Sequence, residues 1–292
     1  MIATSPTARP PLAHALLQQV TDIATRFAPP RVRQLHIPKK NVTPGEHDAE
    51  FCAIELQDGA FGLSYILLGN TLDRILKAHG TQSPLADADA LTLAQRLTSA
   101  DEVERAVALA AINALTDSVW RRIGYEPPPA GNSLGDVVLG PHDHLGMIGF
   151  FPPLVRRVDE AGGRLTVIEM NADMVARQQA RFPQVHITLD RTALAPCNTI
   201  VGTSTMLLND TLDDMLAAAP SATRFAVIGP SAGLWPDPLF ERGVTLLGGT
   251  RVVDGPAFAD AMASGQSWSF ASRKFAITRE GWPGWQRMTA GG

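Results

Sequence analysis

The sequence predicts an α/β protein whose main body is a mostly parallel sheet, preceded by a smaller α+β unit. Apolar runs at residues 145–148, 165–168, 185–189, 199–201, 225–228 and 244–247 alternate with helix-compatible sequence, as strands laid in parallel beneath covering helices require. Before them comes a hairpin-and-helix pattern without that alternation. Between the two, the stretch 124–135, with Pro127-Pro128-Pro129 and Gly131-Asn132, breaks all periodicity. Domains of residues 1–130 and 131–292 are therefore expected.

The first element is a helix over residues 12–27, where Leu16, Leu17, Val20, Ile23 and Phe27 recur at spacings of three and four, before Pro29 and Pro30 end it. Two strands at 51–56 and 61–68 flank Gln57-Asp58-Gly59-Ala60, a β-hairpin around an Asp-Gly turn. Asn70 or Thr71 can cap a helix through His79, and the polar stretch 80–88 leads to another around 90–97. Ser99 and Glu102 have capping-box spacing, so the Ala-rich run to Arg122 reads as a long helix with Val103, Val107, Ala110 and Ala114 along one face. That helix should be buried.

Composition narrows the function classes. With 45% hydrophobic and 18% charged residues, the 292-residue chain can bury a large core and is too apolar to be disordered. A net charge of −4, from 25 basic and 29 acidic residues without long Lys/Arg runs, removes the electrostatic basis for nucleic-acid binding. A small-molecule partner is expected, and a homo-oligomer stays open. Met1-Ile2-Ala3-Thr4-Ser5-Pro6 lacks a charged leader, and no run approaches the roughly 18 apolar residues of a membrane span. The expectation is a cytoplasmic protein with no membrane partner. Cys52 and Cys197 fall in separate predicted strands and read as small buried hydrophobes rather than a disulfide.

The strand ends carry the candidate chemistry. Gly149 follows the first run, and Phe150, Phe151, Pro152 and Pro153 make a tight turn into a helix. In such a sheet, ligands sit beyond the carboxyl ends of the strands. Glu169 closes the second strand at the spacing from Gly149 where dinucleotide enzymes place an acid on ribose hydroxyls, with Asn171 beside it. The turn, however, has one glycine where the dinucleotide fingerprint has three, and its aromatic and proline residues fill the pyrophosphate's space, so NAD is not expected. Asp190 follows the third strand; acids at two neighbouring strand ends are also compatible with an adenosyl group, as in S-adenosylmethionine. Gly202, Thr203 and Ser204 at the fourth strand end, and Pro230 and Ser231 at the fifth, complete one edge. Asn113, in the apolar helix, needs a hydrogen-bond partner or a place on the cleft. Asn113 and Glu169 are the candidate catalytic residues. His142 and His144 alternate as a metal pair would, but no further ligands stand at a characteristic spacing, and an exposed connector fits them better. Ser64, Ser204 and Ser231 lack a nucleophile-elbow context.

Taken in order, Leu145-Gly146-Met147-Ile148-Gly149-Phe150-Phe151-Pro152-Pro153-Leu154, Thr166-Val167-Ile168-Glu169, Gly202-Thr203-Ser204-Thr205 through Asn209-Asp210-Thr211-Leu212, and Ile228-Gly229-Pro230-Ser231 resemble the DUF364 family, named for heavy-metal chelation. Ala111-Ile112-Asn113-Ala114 and Leu56-Gln57-Asp58-Gly59 resemble its N-terminal DUF4213 partner. The resemblance implies an enolase-N-terminal-like α+β domain packed on a Rossmann-like domain, with an active site in the cleft between them facing Asn113, Gly149, Phe150, Glu169, Thr203 and Ser231. His142 and His144 do not match the family's motifs. Three functions follow as expectations: a protein binding a metal chelate or its precursor, with a divalent metal as possible cofactor; an enzyme using S-adenosylmethionine or a related nucleoside; or a noncatalytic sensor or assembly subunit.

Overall fold

A computed structural model describes residues 9–38, 50–67, 70–79, 85–131, 142–160 and 162–290. The start of the chain, part of the 80–88 connection, the residue closing the predicted second hairpin strand and most of the stretch after Gly131 lie outside these residues.

Helix α1 (Leu12–Ala24) buries Leu12, Leu16, Val20 and Ile23 along one stripe. Strands β1 (Val32–His36), β2 (Phe51–Leu56) and β3 (Phe61–Tyr65) form an antiparallel sheet in that order. The β2–β3 turn is the expected one, with Gly59 at φ +82° and the Asp58 carboxylate accepting from the Ala60 N–H at 3.1 Å. Short helices α2 (Thr71–His79) and α3 (Ala90–Ala94) lead to α4 (Glu102–Arg122). Its N-cap is Asp101, not the Ser99 of the expected capping box. Asp101 accepts from the N–H groups of Val103 and Glu104 at 2.7 and 3.4 Å, and Ser99 instead bonds the Glu104 side chain at 2.6 Å.

Every residue from Ala106 to Trp120 is buried, so α4 has no solvent face. Strand β3 lies directly on it: a Cβ on Gly62 would stand 2.1 Å from the Ala114 nitrogen and 2.2 Å from the Ala110 oxygen. Only glycine permits that approach. At the other end of α4, Trp120 packs edge-on against Trp235 and Phe275, ring centroids 5.8 and 5.6 Å away.

The chain then alternates β4 (His144–Ile148), α5 (Pro152–Glu160), β5 (Arg164–Ile168), α6 (Ala172–Arg181), β6 (His186–Thr188), β7 (Thr199–Thr203), α7 (Leu212–Ala218), β8 (Arg224–Ile228), α8 (Asp237–Phe240), β9 (Leu246–Val252), α9 (Gly255–Ser264), β10 (Ser272–Thr278) and α10 (Trp285–Met288). The larger sheet has seven strands in the order β10-β9-β8-β7-β4-β5-β6. Strands β4 to β9 are parallel and β10 is antiparallel to β9. Strand order reverses between β4 and β7, the topological switch point of a doubly wound sheet. The third run shrinks to three residues, and the sixth strand begins at Leu246. Strands β1 and β10 were not anticipated. Residues 128–130 cover the outer edge of β10, through Ala276 N–H to Pro128 O at 2.9 Å and Ala130 N–H to Lys274 O at 3.0 Å.

One buried cluster runs through both sheets, joining Leu16 of α1 and Ala110 of α4 to Ile148, Val227 and Leu247 of the larger sheet. The opposite face of that sheet packs Met147, Val167 and Val201 against Val155 and Val158 of α5. Among the described residues, no helix is long and apolar enough to cross a membrane.

Candidate functional site

The switch point places Gly149, at the end of β4, beside Thr203, at the end of β7. Gly149 sits at φ +79°, donates to Ile168 O at 2.9 Å, and a Cβ there would come within 3.1 Å of the Thr203 methyl. Its place between two strands demands the left-handed backbone that glycine adopts freely. Phe150 and Phe151 follow, half-buried, and Pro152 and Pro153 open α5. The Phe151 N–H reaches the Met147 sulfur at 3.4 Å.

Glu169, half-buried at the end of β5, turns its carboxylate to this turn. It accepts from the Phe150 N–H and from the Met170 N–H, the latter at 3.3 Å. Burial raises the Glu169 carboxyl above its usual range, outweighing the two backbone donors that hold it down. From the small sheet, Tyr65 brings its phenol into the field of the same carboxylate. Burial, then the negative charges of Glu50 and Glu169, push the Tyr65 hydroxyl up to about 12. The ring is steadied edge-on against Phe51, centroids 5.6 Å apart. Tyr65 and Glu50 were not anticipated.

Asn113 and Ser231 occupy the seam between the sheets, with 1% and 0% of their surfaces exposed. The Asn113 amide donates to Leu63 O at 2.7 Å and to Ser231 O at 2.9 Å, while the Ser231 hydroxyl accepts from the Tyr65 N–H at 2.9 Å. The amide oxygen Oδ1 of Asn113 is buried without a protein partner. These bonds clasp β3 to the loop after β8 and so fix Tyr65 relative to the larger sheet. Asn113 is thereby a positioning residue, not one open to a ligand; Pro230, beside Ser231, is partly exposed.

The remaining candidates divide similarly. Ser204 is buried, its oxygen 2.3 Å from where a Cβ on Gly229 would stand, and Gly202 is packed beneath the Met206 methyl. The Thr203 hydroxyl accepts from the Thr205 N–H at 3.3 Å and lies 3.0 Å from the Thr205 hydroxyl. Asn171 is exposed and caps α6, accepting from Asp173 and Met174 N–H at 2.9 and 3.2 Å. Asp190 is exposed and caps the next turn; hydrogen bonds from the Thr192 hydroxyl and N–H hold its carboxyl below the usual range. The structure thus brings Gly149, Phe150, Glu169 and Thr203 together, leaves Asn171 and Asp190 on the exposed strand-end side, and buries Asn113, Gly202, Ser204 and Ser231.

Of the His142–Asp143–His144 segment, expected as an exposed connector, only His142 is exposed. His144 opens β4 at the opposite end of the sheet, its Nε2 2.9 Å from the Thr166 hydroxyl, and Asp143 pairs with Arg224. Cys52 and Cys197 are both buried free thiols; burial raises both, Cys52 to about 12. Among the described residues, no group of three His, Cys, Asp or Glu side chains gathers as a metal site would need, so they do not fit a metal held by protein ligands alone.

The family model for DUF364, described as "Putative heavy-metal chelation", matches residues 134–280. The chain belongs to the DUF364 family. The DUF4213 model, with the same description, matches residues 49–116, ahead of the DUF364 region. A DUF364 protein of unknown function from Desulfitobacterium hafniense is 20% identical, with a TM-score of 0.65 over 91% of this chain and 99% of that one. Another, from Pyrococcus horikoshii, is 20% identical with a TM-score of 0.63 over the same shares. At this identity the likeness establishes a DUF364 fold alone. No curated protein matches the chain.

Proposed function

We propose that this DUF364 protein binds a small organic ligand in the cleft at the β4–β7 reversal, a metal chelate or the precursor of one. One observation carries the reading: the half-buried Glu169 carboxylate, at the end of β5, accepts from the Phe150 N–H of the turn that leaves β4 beside the strand-order reversal. Ligands in doubly wound sheets bind at that crevice, and a carboxylate held above its usual range there is a mark of a working site. The family description ties the family to heavy-metal chelation. In this reading the organic ligand supplies the metal's donors and the protein grips the organic part. A second reading, an S-adenosylmethionine or nucleoside ligand, is motivated by Glu169 and Asp190 following the neighbouring strands β5 and β6.

Native mass spectrometry of the full chain, as purified and after incubation with a metabolite extract, tests the proposal. A small-molecule adduct, with or without metal, is expected on the wild type and lost in folded Glu169→Ala. An adduct that persists in the variant, or a wild type that takes up none, refutes it.

A further inference from the structure

We propose that this cleft receives an unphosphorylated nucleoside, its ribose hydroxyls set on Glu169 and Tyr65. The inference rests on the second, nucleoside reading of the cleft given above and on an account of where the turn's backbone donors go. A helix start in a doubly wound sheet ordinarily offers free N–H groups to a phosphate. Here that supply is closed. The Gly149 N–H goes to Ile168 O at 2.9 Å, Phe150 N–H to Glu169, and Phe151 N–H to the Met147 sulfur at 3.4 Å. Pro152 and Pro153 have no N–H, and the N–H groups of Leu154 and Val155 both bond Phe151 O at 3.0 Å. From residue 149 to 155 no backbone donor faces outward for a phosphate.

At the end of β8, two strands away, two further donors are used within the protein. The Gly229 N–H bonds Gly248 O at 2.9 Å, and the Ala232 N–H bonds Gly229 O at 3.0 Å. What the site offers instead is acceptors. A carboxylate has lone pairs for about four hydrogen bonds, and Glu169 uses two on the backbone. The phenol of Tyr65 both donates and accepts. Ribose hydroxyls are the group that an acid at this strand end receives in doubly wound folds. An apolar lip stands beside it: Met170, next to Glu169, is 69% exposed, and Leu189, at the end of β6, is 51% exposed. That lip suits the body of an uncharged base.

Calorimetric titration of the full chain with adenosine and with adenosine 5′-monophosphate tests the inference. Adenosine should bind at least about tenfold more tightly than the monophosphate, since like charges juxtaposed in a site are strongly disfavoured. Tyr65→Phe should weaken adenosine about fivefold, the loss of one hydrogen bond, and Glu169→Gln should narrow the preference over the monophosphate. A monophosphate that binds as well as adenosine, or a preference unchanged in both variants, overturns it. Failure of adenosine to bind also overturns it, while an adduct seen by mass spectrometry would leave the cleft reading standing.

Discussion

Replacing Asn113 tests the clasp between the sheets. Asn113→Ala cuts the donors to Leu63 O and Ser231 O, both in a seam where the asparagine is 1% exposed. Each lost bond costs about 1 kcal/mol, and each buried carbonyl left without a donor adds about as much again. Removing the partnerless Oδ1 relieves about 1 kcal/mol of that. The net loss is about 2–4 kcal/mol. Asn113→Asp keeps the shape and replaces the donor nitrogen by an oxygen that faces two carbonyls. Protonation restores one bond, so the new carboxyl titrates higher in the folded chain than in the unfolded one. Its stability is fully present below the unfolded value of about 4 and is lost as pH rises through the folded value. Urea unfolding of both variants at pH 5 and pH 8, followed by tryptophan fluorescence, reads both effects, and hydrogen exchange at the Tyr65 N–H reads the clasp directly. An alanine variant within about 0.5 kcal/mol of wild type, or an aspartate variant whose penalty does not grow with pH, would refute the clasp.

Gly62→Ala should cost about 3 kcal/mol or more, because the added carbon meets helix backbone that cannot rotate away. Gly59→Ala, with open space but φ +82°, should cost about 1 kcal/mol in the same urea titration, and equal losses would count against the close approach. His144 titrates below its usual range because burial, then Arg164 and His186, penalise the imidazolium. The stability it lends is present above an unfolded value of about 6.5 and is lost as pH falls through the depressed folded value. His144→Gln should therefore flatten the fall in unfolding free energy between pH 7 and 5, leaving the part due to His36, which burial also lowers; an unflattened slope rules His144 out as a contributor.

Strands β4, β5, β7 and β8 were legible because they are buried on both faces and read as largely apolar runs, whereas β6, at the sheet edge, buries only Ile187. Strand β1 was not legible, since a register shift between Val32 and Gln34 breaks its alternation. Strand β10, an edge, buries only Phe275 and Ile277. The Gly149 turn and Glu169 stood out by local spacing, and the structure places them side by side. Tyr65 was invisible because what places it is long-range: its N–H bonds a serine 166 residues away. The burial of Asn113 was readable from its apolar neighbours, but its partners, 50 and 118 residues off, were not. The double proline was visible, yet its meaning depended on where the adjacent N–H groups went, a matter of tertiary geometry.

The helix that is buried on every side has a consequence for how the chain can be cut or recombined. Ending the chain after Arg122 would strip the larger sheet from Trp120 and its neighbours, and starting it at residue 142 would bare the face of Ile148, Val227 and Leu247. Either fragment would expose a broad apolar surface of the kind that drives aggregation. The two sheets are separable on a topology diagram, but they behave as one inheritance: a module swap that replaced either half would have to bring a matching α4 with it.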